Sequence, residues 1–292
     1  LLRAIRNVAG VMARPPDGAR SLGLHLEGPY LNVEKKGAQP AAALHLPDLG
    51  ELEEYLAAGP VKKITLAPEL EGAEALARRA VEKGVRVSLG HTNADYEQTR
   101  AAIAWGATHA SHTFNAMRGL HHRQPGATGA ILTSDEVYAE IIADFVHIHP
   151  AIVDLVVRAK GGERTVLVSD AVRATGLPDG SYEFGGQKVT LREGVCRLAD
   201  GTLAGSTLAL DQALRNVMSA TGLSLVEALP MATRVPAASI GMADEIGSLA
   251  PGYRADVVLL DAELRVVMTL VGGREVVTHT SLLSCSQSTY LR

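Results

Sequence analysis

Five polar side chains stand at or near the ends of short apolar runs, and their types fit one chemistry. SLGLHLE ends in Glu27, VRVSLGH in His91 and TVLVSD in Asp170, while ATHASHT carries His112 and AEIIADFVH ends in His147. Side chains of a strand alternate between two faces, so each polar group shares a face with residues two and four positions earlier. That parity places Val85, Val87 and Leu89 inward before His91, Thr108 and Ala110 before His112, Ile141, Ala143 and Phe145 before His147, and Val166 and Val168 before Asp170. Each series then ends in a polar group at the carboxyl end of its strand, where parallel barrels collect their chemistry. Carboxylates and imidazoles are costly to bury without partners, so convergence on one mouth points to a mutual network or a shared cation.

Glu27, His91 and His112 with open coordination positions suit Zn²⁺ or Fe²⁺, because borderline cations accept imidazole and carboxylate together, whereas calcium asks for more oxygen. Such a metal polarises a carbonyl and lowers the pKa of bound water, and a nearby carboxylate can take the water's proton and deliver it to a departing amine. Asp170 is the candidate for that shuttle. Residue types alone leave amide, ester and phosphoester hydrolysis and deamination open. His25, one layer below Glu27, and His109, on the opposite parity from His112, read as core or supporting groups. His45, His121, His122, His149 and His279 fall in loops or helix starts without ligand spacing.

The elements that must position these groups are legible as a repeat of strand and helix. Apolar runs at 21–27, 61–68, 85–91, 107–113, 139–147 and 165–170 alternate with helical stretches, which predicts parallel α/β architecture, and the length permits one barrel or two smaller domains. Thr92 or Asn93 is the expected cap of the helix that Gly106 closes. Residues 1–245 form the predicted hydrolase barrel, with a β-hairpin inserted near 181–201 around Gly185-Gly186 and Asp200-Gly201. Residues 246–278 alternate like sheet with a turn at Gly272-Gly273 and mark a small β layer, and 279–292 form a tail of uncertain order. Leu2, Ile5, Val8 and Ala9 share one face, so the chain opens inside an amphipathic helix.

Composition narrows the partner. At 292 residues, 47% hydrophobic and 21% charged, the chain can bury a large core. A net charge of -4 with scattered basic pairs gives no footprint for nucleic acid or membrane, which favours a small molecule. Cys196 and Cys285 are too few for a disulfide framework or a cysteine zinc site. No apolar run approaches the length of a bilayer span, and LLRAIRNVAG lacks the apolar core of a secretion signal, so a cytoplasmic location is expected.

Six strings in order, HLEGPYLNVEKKGAQP, LGHTNADYEQ, SHTFNAMRGL, IIADFVHIHP, VSDAVRATG and GTLAGSTLALDQALRNV, resemble the N-acetylglucosamine-6-phosphate deacetylases of the amidohydrolase superfamily, and the likeness runs from about Leu22 to about Val271. GSLAPGYRADVVLLD resembles a segment common to the wider superfamily. The resemblance implies a (β/α)8 TIM-like barrel with a small β-sandwich domain, and hydrolysis of N-acetylglucosamine 6-phosphate to glucosamine 6-phosphate and acetate. It also implies that Glu27, His91 and His112 are metal ligands and that Asp170 is the catalytic acid and base. By the same likeness His147 contacts the sugar, Asn115 and the backbone of Ala116 bind the phosphate, Ala38 and Gln39 close over the sugar, and Leu203 lines the acetyl wall. Arg123 corresponds to an arginine that reaches the neighbouring subunit's phosphate, which implies a homodimer.

Two departures qualify the match. The first two barrel strands and a His-x-His pair have no counterpart after Leu1, so a preceding segment is expected, and the metal count is one without that pair or two with it. Gln39 stands where some relatives place a histidine, and a neutral amide can donate a hydrogen bond but supplies no charge. The rival readings are another amidohydrolase, such as a cyclic-amide hydrolase or a deaminase, and a non-catalytic sugar-phosphate binder. Intact Glu27, His91, His112 and Asp170 argue against the binder.

Overall fold

The structure, a computed structural model, describes residues 1–278, and the tail read at 279–292 lies outside the described residues. An amphipathic helix, α1 (Leu2–Ala13), buries Ile5 and leads to strand β1 (Leu24–Glu27). Strand and helix then alternate through α2 (Leu49–Ala58), β2 (Val61–Leu66), α3 (Ala73–Glu82), β3 (Arg86–Leu89), α4 (Tyr96–Ala104), β4 (Ala107–Ala110), α5 (Gly126–Leu132), β5 (Tyr138–Ile141), α6 (Pro150–Lys160) and β6 (Thr165–Leu167). The strands form one six-stranded parallel sheet in chain order. Parallel neighbours need a crossover, and each intervening α-helix or helical loop supplies one.

The sheet is curled into part of a barrel. Thr65 on β2 lies 2.7 Å from Ser111, just past β4, and Lys63 on β2 forms an ion pair with Glu140 on β5. Strands β2 and β5 are three places apart, about 14 Å in a flat sheet, so these side chains can meet only across a concave inner face. Strand register extends that face through His25, Glu27, Ser88, His109 and Val166. Buried Val87, Leu89, Ala110 and Ile141 belong instead to the main core, together with helix residues Leu76, Ala77, Ala102 and Val153.

This corrects the expected facing of three strands. For β1 and β6 the predicted face is the inner one. In β3, β4 and β5 the sets Val85-Val87-Leu89, Thr108-Ala110 and Ile141-Ala143-Phe145 do not line the inner face. The physical reason is that these strands end two to six residues before His91, His112 and His147. Left-handed backbone at His91 (φ 47°), His112 (φ 31°) and Phe145 (φ 64°) then redirects the chain, so strand parity does not extend to the histidines. The cap of α4 is also displaced from the expected Thr92 or Asn93. Asp95 and Gln98 form a reciprocal capping box, each side chain accepting from the other's backbone N–H.

Beyond β6 an antiparallel sheet of β7 (Gly180–Phe184), β8 (Gln187–Arg192) and β9 (Val195–Arg197) occupies the stretch read as a hairpin, and Val189, Leu191 and Cys196 pack in a second core with Val172 and Ala204. Helices α7 (Leu210–Thr221), α8 (Leu225–Ala228) and α9 (Arg234–Ser239) follow, and then a three-stranded antiparallel sheet of β10 (Val257–Leu260), β11 (Val266–Val271) and β12 (Arg274–Thr278). Among the described residues no helix is long and apolar enough to cross a membrane.

Candidate metal centre and active site

The inner face of the curled sheet is polar where a barrel interior is usually apolar. His25 Nε2 lies 2.6 Å from Thr65 Oγ1, which is 2.7 Å from Ser111 Oγ, itself 2.8 Å from Ser88 Oγ. Deeper lies the buried Lys63–Glu140 pair. Burial pushes the His25 imidazole down to about 3, and Lys63 adds to the shift. Glu27 stands in register with Thr65, two residues beyond His25 on the same strand face.

At the carboxyl end of the strands, Glu27, His91 and His112 each offer one ligand atom, and these atoms lie within 4.8 Å of one another. No other trio of His, Cys, Asp or Glu among the described residues does so. His91 Nε2 is 3.0 Å and His112 Nε2 3.6 Å from Glu27 Oε1, and the two rings stand edge to face with centroids 4.9 Å apart. Burial alone would raise the Glu27 carboxyl, but hydrogen bonds from His112 and His91 hold it well below the usual carboxylate range. Burial would likewise depress His112, but the Glu27 hydrogen bond and charge prevail and raise it.

The donor set fits a divalent cation. His91 Nδ1 lies 2.7 Å from the Lys35 carbonyl, an acceptor only, so Nδ1 carries a proton, and Nε2, which faces Glu27, is the nitrogen that would give its lone pair to a bound cation in place of a proton. A carbonyl on the far nitrogen is the arrangement that fixes metal-binding histidines in orientation and tautomer. Gln39 Nε2 donates to Glu27 at 3.4 Å, leaving that carboxylate with acceptor capacity to spare.

Asp170 lines the same cavity, of about 360 Å³. Solvent reaches it there, yet desolvation by the surrounding protein raises its pKa, and the negative charge of Glu27 adds to the effect. Two carboxylates in one cavity are thus pushed in opposite directions, the pattern that separates an anionic ligand from a proton carrier. His91, His112 and Asp170 all have left-handed backbone, as do Phe114, Ala116 and Phe145 nearby in the βα loops. Each such residue costs about 1–2 kcal/mol, and strain of this kind concentrates where side-chain placement matters.

Ala38, Gln39, Asn115, Ala116, His147 and Leu203 also line this cavity. Asn115 Nδ2 is buried without a hydrogen-bond partner among the described residues, a donor left for a ligand. Arg123 is not among the lining residues. It borders a separate depression with Asp95, Tyr96, Glu97 and Arg118, and its guanidinium lies 2.8 Å from His122 Nε2. Sequence reasoning missed Arg197 and Phe184, which the inserted sheet brings to the cavity wall, and Asp144. Asp144 Oδ2 accepts from His147 Nδ1 at 2.7 Å while Oδ1 accepts from the backbone N–H groups of Val146 and His147. The i, i+3 spacing of Asp144 and His147 was the available signal. The contribution of the inserted sheet had none, since it depends on tertiary packing.

The amidohydrolase family model matches residues 11–276 of this geometry's chain, nearly its whole described length. The chain belongs to the amidohydrolase family. This amidohydrolase is 42% identical over 273 residues to the N-acetylgalactosamine-6-phosphate deacetylase of Escherichia coli O157:H7, covering 93% of this chain and 72% of that one. It is 39% identical over 274 residues to the N-acetylglucosamine-6-phosphate deacetylase of Lysinibacillus sphaericus, covering 93% and 70%. Among solved structures, the Thermotoga maritima N-acetylglucosamine-6-phosphate deacetylase superposes with a TM-score of 0.89 at 39% identity, over 95% of this chain and 75% of that one. A Mycobacterium smegmatis N-acetyl-D-glucosamine-6-phosphate deacetylase mutant in complex with N-acetyl-D-glucosamine-6-phosphate gives 0.88 at 40% identity, over 95% and 73%.

Proposed function

We propose that this amidohydrolase hydrolyses N-acetylglucosamine 6-phosphate to glucosamine 6-phosphate and acetate. The observation that carries the reading is one cavity that joins the Glu27-His91-His112 trio and Asp170 to the unpartnered amide of Asn115, in a chain about 40% identical to amino-sugar-phosphate deacetylases over most of its length.

Glu27, His91 and His112 would hold the cation, Zn²⁺ or Fe²⁺, as one ion or as the visible part of a two-ion site. When bound it supplies Lewis acidity, polarising the acetyl carbonyl and acidifying water. Asp170 takes a proton from the attacking water and passes it to the amide nitrogen. The new C–O bond gives acetate, and the broken C–N bond leaves a free amine. The raised pKa of Asp170 suits a group that must accept a proton and give it up again. His147, with its Nδ1 occupied by Asp144, presents Nε2 to a sugar hydroxyl. The Asn115 amide and the Ala116 backbone bind the phosphate, Ala38 and Gln39 cover the sugar, and Leu203 bounds the acetyl group. Arg123, away from its own chain's cavity, serves the phosphate of the neighbouring subunit in a homodimer, and the protein works in the cytoplasm.

The likeness to a deacetylase named for the galactosamine epimer favours one second reading, N-acetylgalactosamine 6-phosphate as substrate. Acetate release from the two epimers, from unphosphorylated N-acetylglucosamine and from a cyclic amide tests both readings. The phosphorylated amino sugars are expected to react and the others to react poorly. Turnover of the cyclic amide with no acetate from either phosphate would overturn the proposal, and tight binding of the sugar phosphates without turnover would indicate a non-catalytic relative.

A further inference from the structure

We infer that Glu69 is a positioning residue that holds His91 in its metal-binding pose. Glu69 lies outside the cavity, three residues past the end of β2. Its Oε1 accepts from Asn32 Nδ2 at 2.9 Å and from the Asn93 backbone N–H at 2.6 Å, and its Oε2 accepts from Thr92 Oγ1 at 2.5 Å. One carboxylate therefore ties the loop after β1 to the loop after β3.

Both tied segments hold His91. The Asn32 backbone N–H donates to the His91 carbonyl at 3.0 Å, and Asn32 Oδ1 accepts from the Glu34 N–H at 2.8 Å, capping the short helical turn Val33–Lys35. That turn ends on Lys35, whose carbonyl receives His91 Nδ1. Thr92 and Asn93 follow His91 directly, and the Thr92 N–H donates to the Ala116 carbonyl at 3.0 Å, extending the tie to the loop after β4.

The arrangement has a mechanical purpose. His91 sits at φ 47°, a backbone state that L-residues leave unless their neighbours prevent it. Among the described residues Glu69 has no ion-pair partner. It is half-buried and engaged by three neutral donors, so its charge goes into short, directional bonds. The general effect of fixing a ligating histidine through its surroundings is 10- to 100-fold in metal affinity, on the order of what the Glu69 tie should contribute.

This inference rests on the reading of Glu27, His91 and His112 as the metal trio, and the test separates the two. Zn²⁺ affinity is measured by competition with a chromophoric chelator for wild type, Glu69→Ala, Glu69→Gln and Thr92→Val, with thermal melting of each metal-free protein. Glu69→Ala is expected to weaken Zn²⁺ binding by roughly 10- to 100-fold, and its acetate release to recover in excess metal. Glu69→Gln should stay within a few-fold of wild type, because its amide oxygen keeps the Asn32 and Asn93 bonds and its amide N–H can donate to Thr92 Oγ1. Wild-type affinity in Glu69→Ala, or a loss in Glu69→Gln as large as in Glu69→Ala, would overturn the inference. If Glu69→Ala does not fold, Thr92→Val decides: weakened Zn²⁺ binding supports the tie and unchanged binding refutes it. Wild-type protein that binds no divalent cation would instead overturn the metal trio itself.

Discussion

Asp170→Asn removes the proton carrier while keeping the shape of the site. The side chains are isosteric, and asparagine tolerates left-handed backbone as aspartate does, so φ 49° at this position adds no strain. Asp170→Ala would be a poorer probe, since alanine lacks the short polar side chain that eases aspartate and asparagine into left-handed backbone, and the added strain would fall beside the Ser206 N–H bond to the Asp170 carbonyl. The metal trio excludes Asp170, so metal content should be preserved. What is lost is a carboxylate able to take a proton from water and return it to nitrogen. General acid and base catalysis contributes roughly 10²- to 10⁴-fold, about 3–5 kcal/mol on the barrier. Initial rates of acetate release at saturating substrate, with metal measured on the same sample, should show kcat reduced by that factor and metal per chain unchanged. Full activity would refute the role of Asp170, and loss of metal in step with kcat would make it a ligand.

His91→Ala should lose most of its metal and activity together, which elemental analysis beside acetate release will show. Asp144→Ala frees the His147 ring and should lower kcat/KM on the order of tenfold to a hundredfold by misplacing a substrate contact, while Asp144→Asn, which keeps an acceptor, should lose less in the same assay. His109 gives a pH signature in stability. Burial lowers its folded-state pKa from 6.5 to about 4, against an opposing pull from Glu140 and with help from Lys63. Between those values the unfolded chain binds the extra proton, so stability is full above about 6.5 and falls as pH drops toward about 4, by roughly 3 kcal/mol for this one group. Urea denaturation of the metal-free protein across that window should show the slope, and His109→Gln should flatten it. An unchanged slope would place the acid sensitivity elsewhere.

The repeat of strand and helix was legible because hydrophobic periodicity is a local property, and it located all six parallel strands. The site histidines are legible as polar residues that close apolar runs, and strand parity does not reach them. Parity points to His91, His112 and His147 only by extending each strand to its polar terminus. The strands stop earlier, and left-handed residues make the final turn. Such a conformation in a non-glycine residue is imposed by neighbours and leaves no mark in composition. The polar floor was hidden for a related cause. Ser88, Ser111 and Thr65 look like ordinary strand residues until curvature brings separated strands together. Asp144 and Glu69 act by holding other residues, through contacts that the chain's order does not announce except at the three-residue spacing of Asp144 and His147.

The central claim is that the Glu27-His91-His112 trio holds a metal that this chain uses to remove an acetyl group. Chelator-treated protein, reloaded with increasing equivalents of Zn²⁺ or Fe²⁺ and supplied with N-acetylglucosamine 6-phosphate, tests it directly. Acetate release should be absent from the metal-free protein and rise in proportion to the metal bound. Full turnover by metal-free protein, or a fully loaded protein that releases no acetate, would contradict the account.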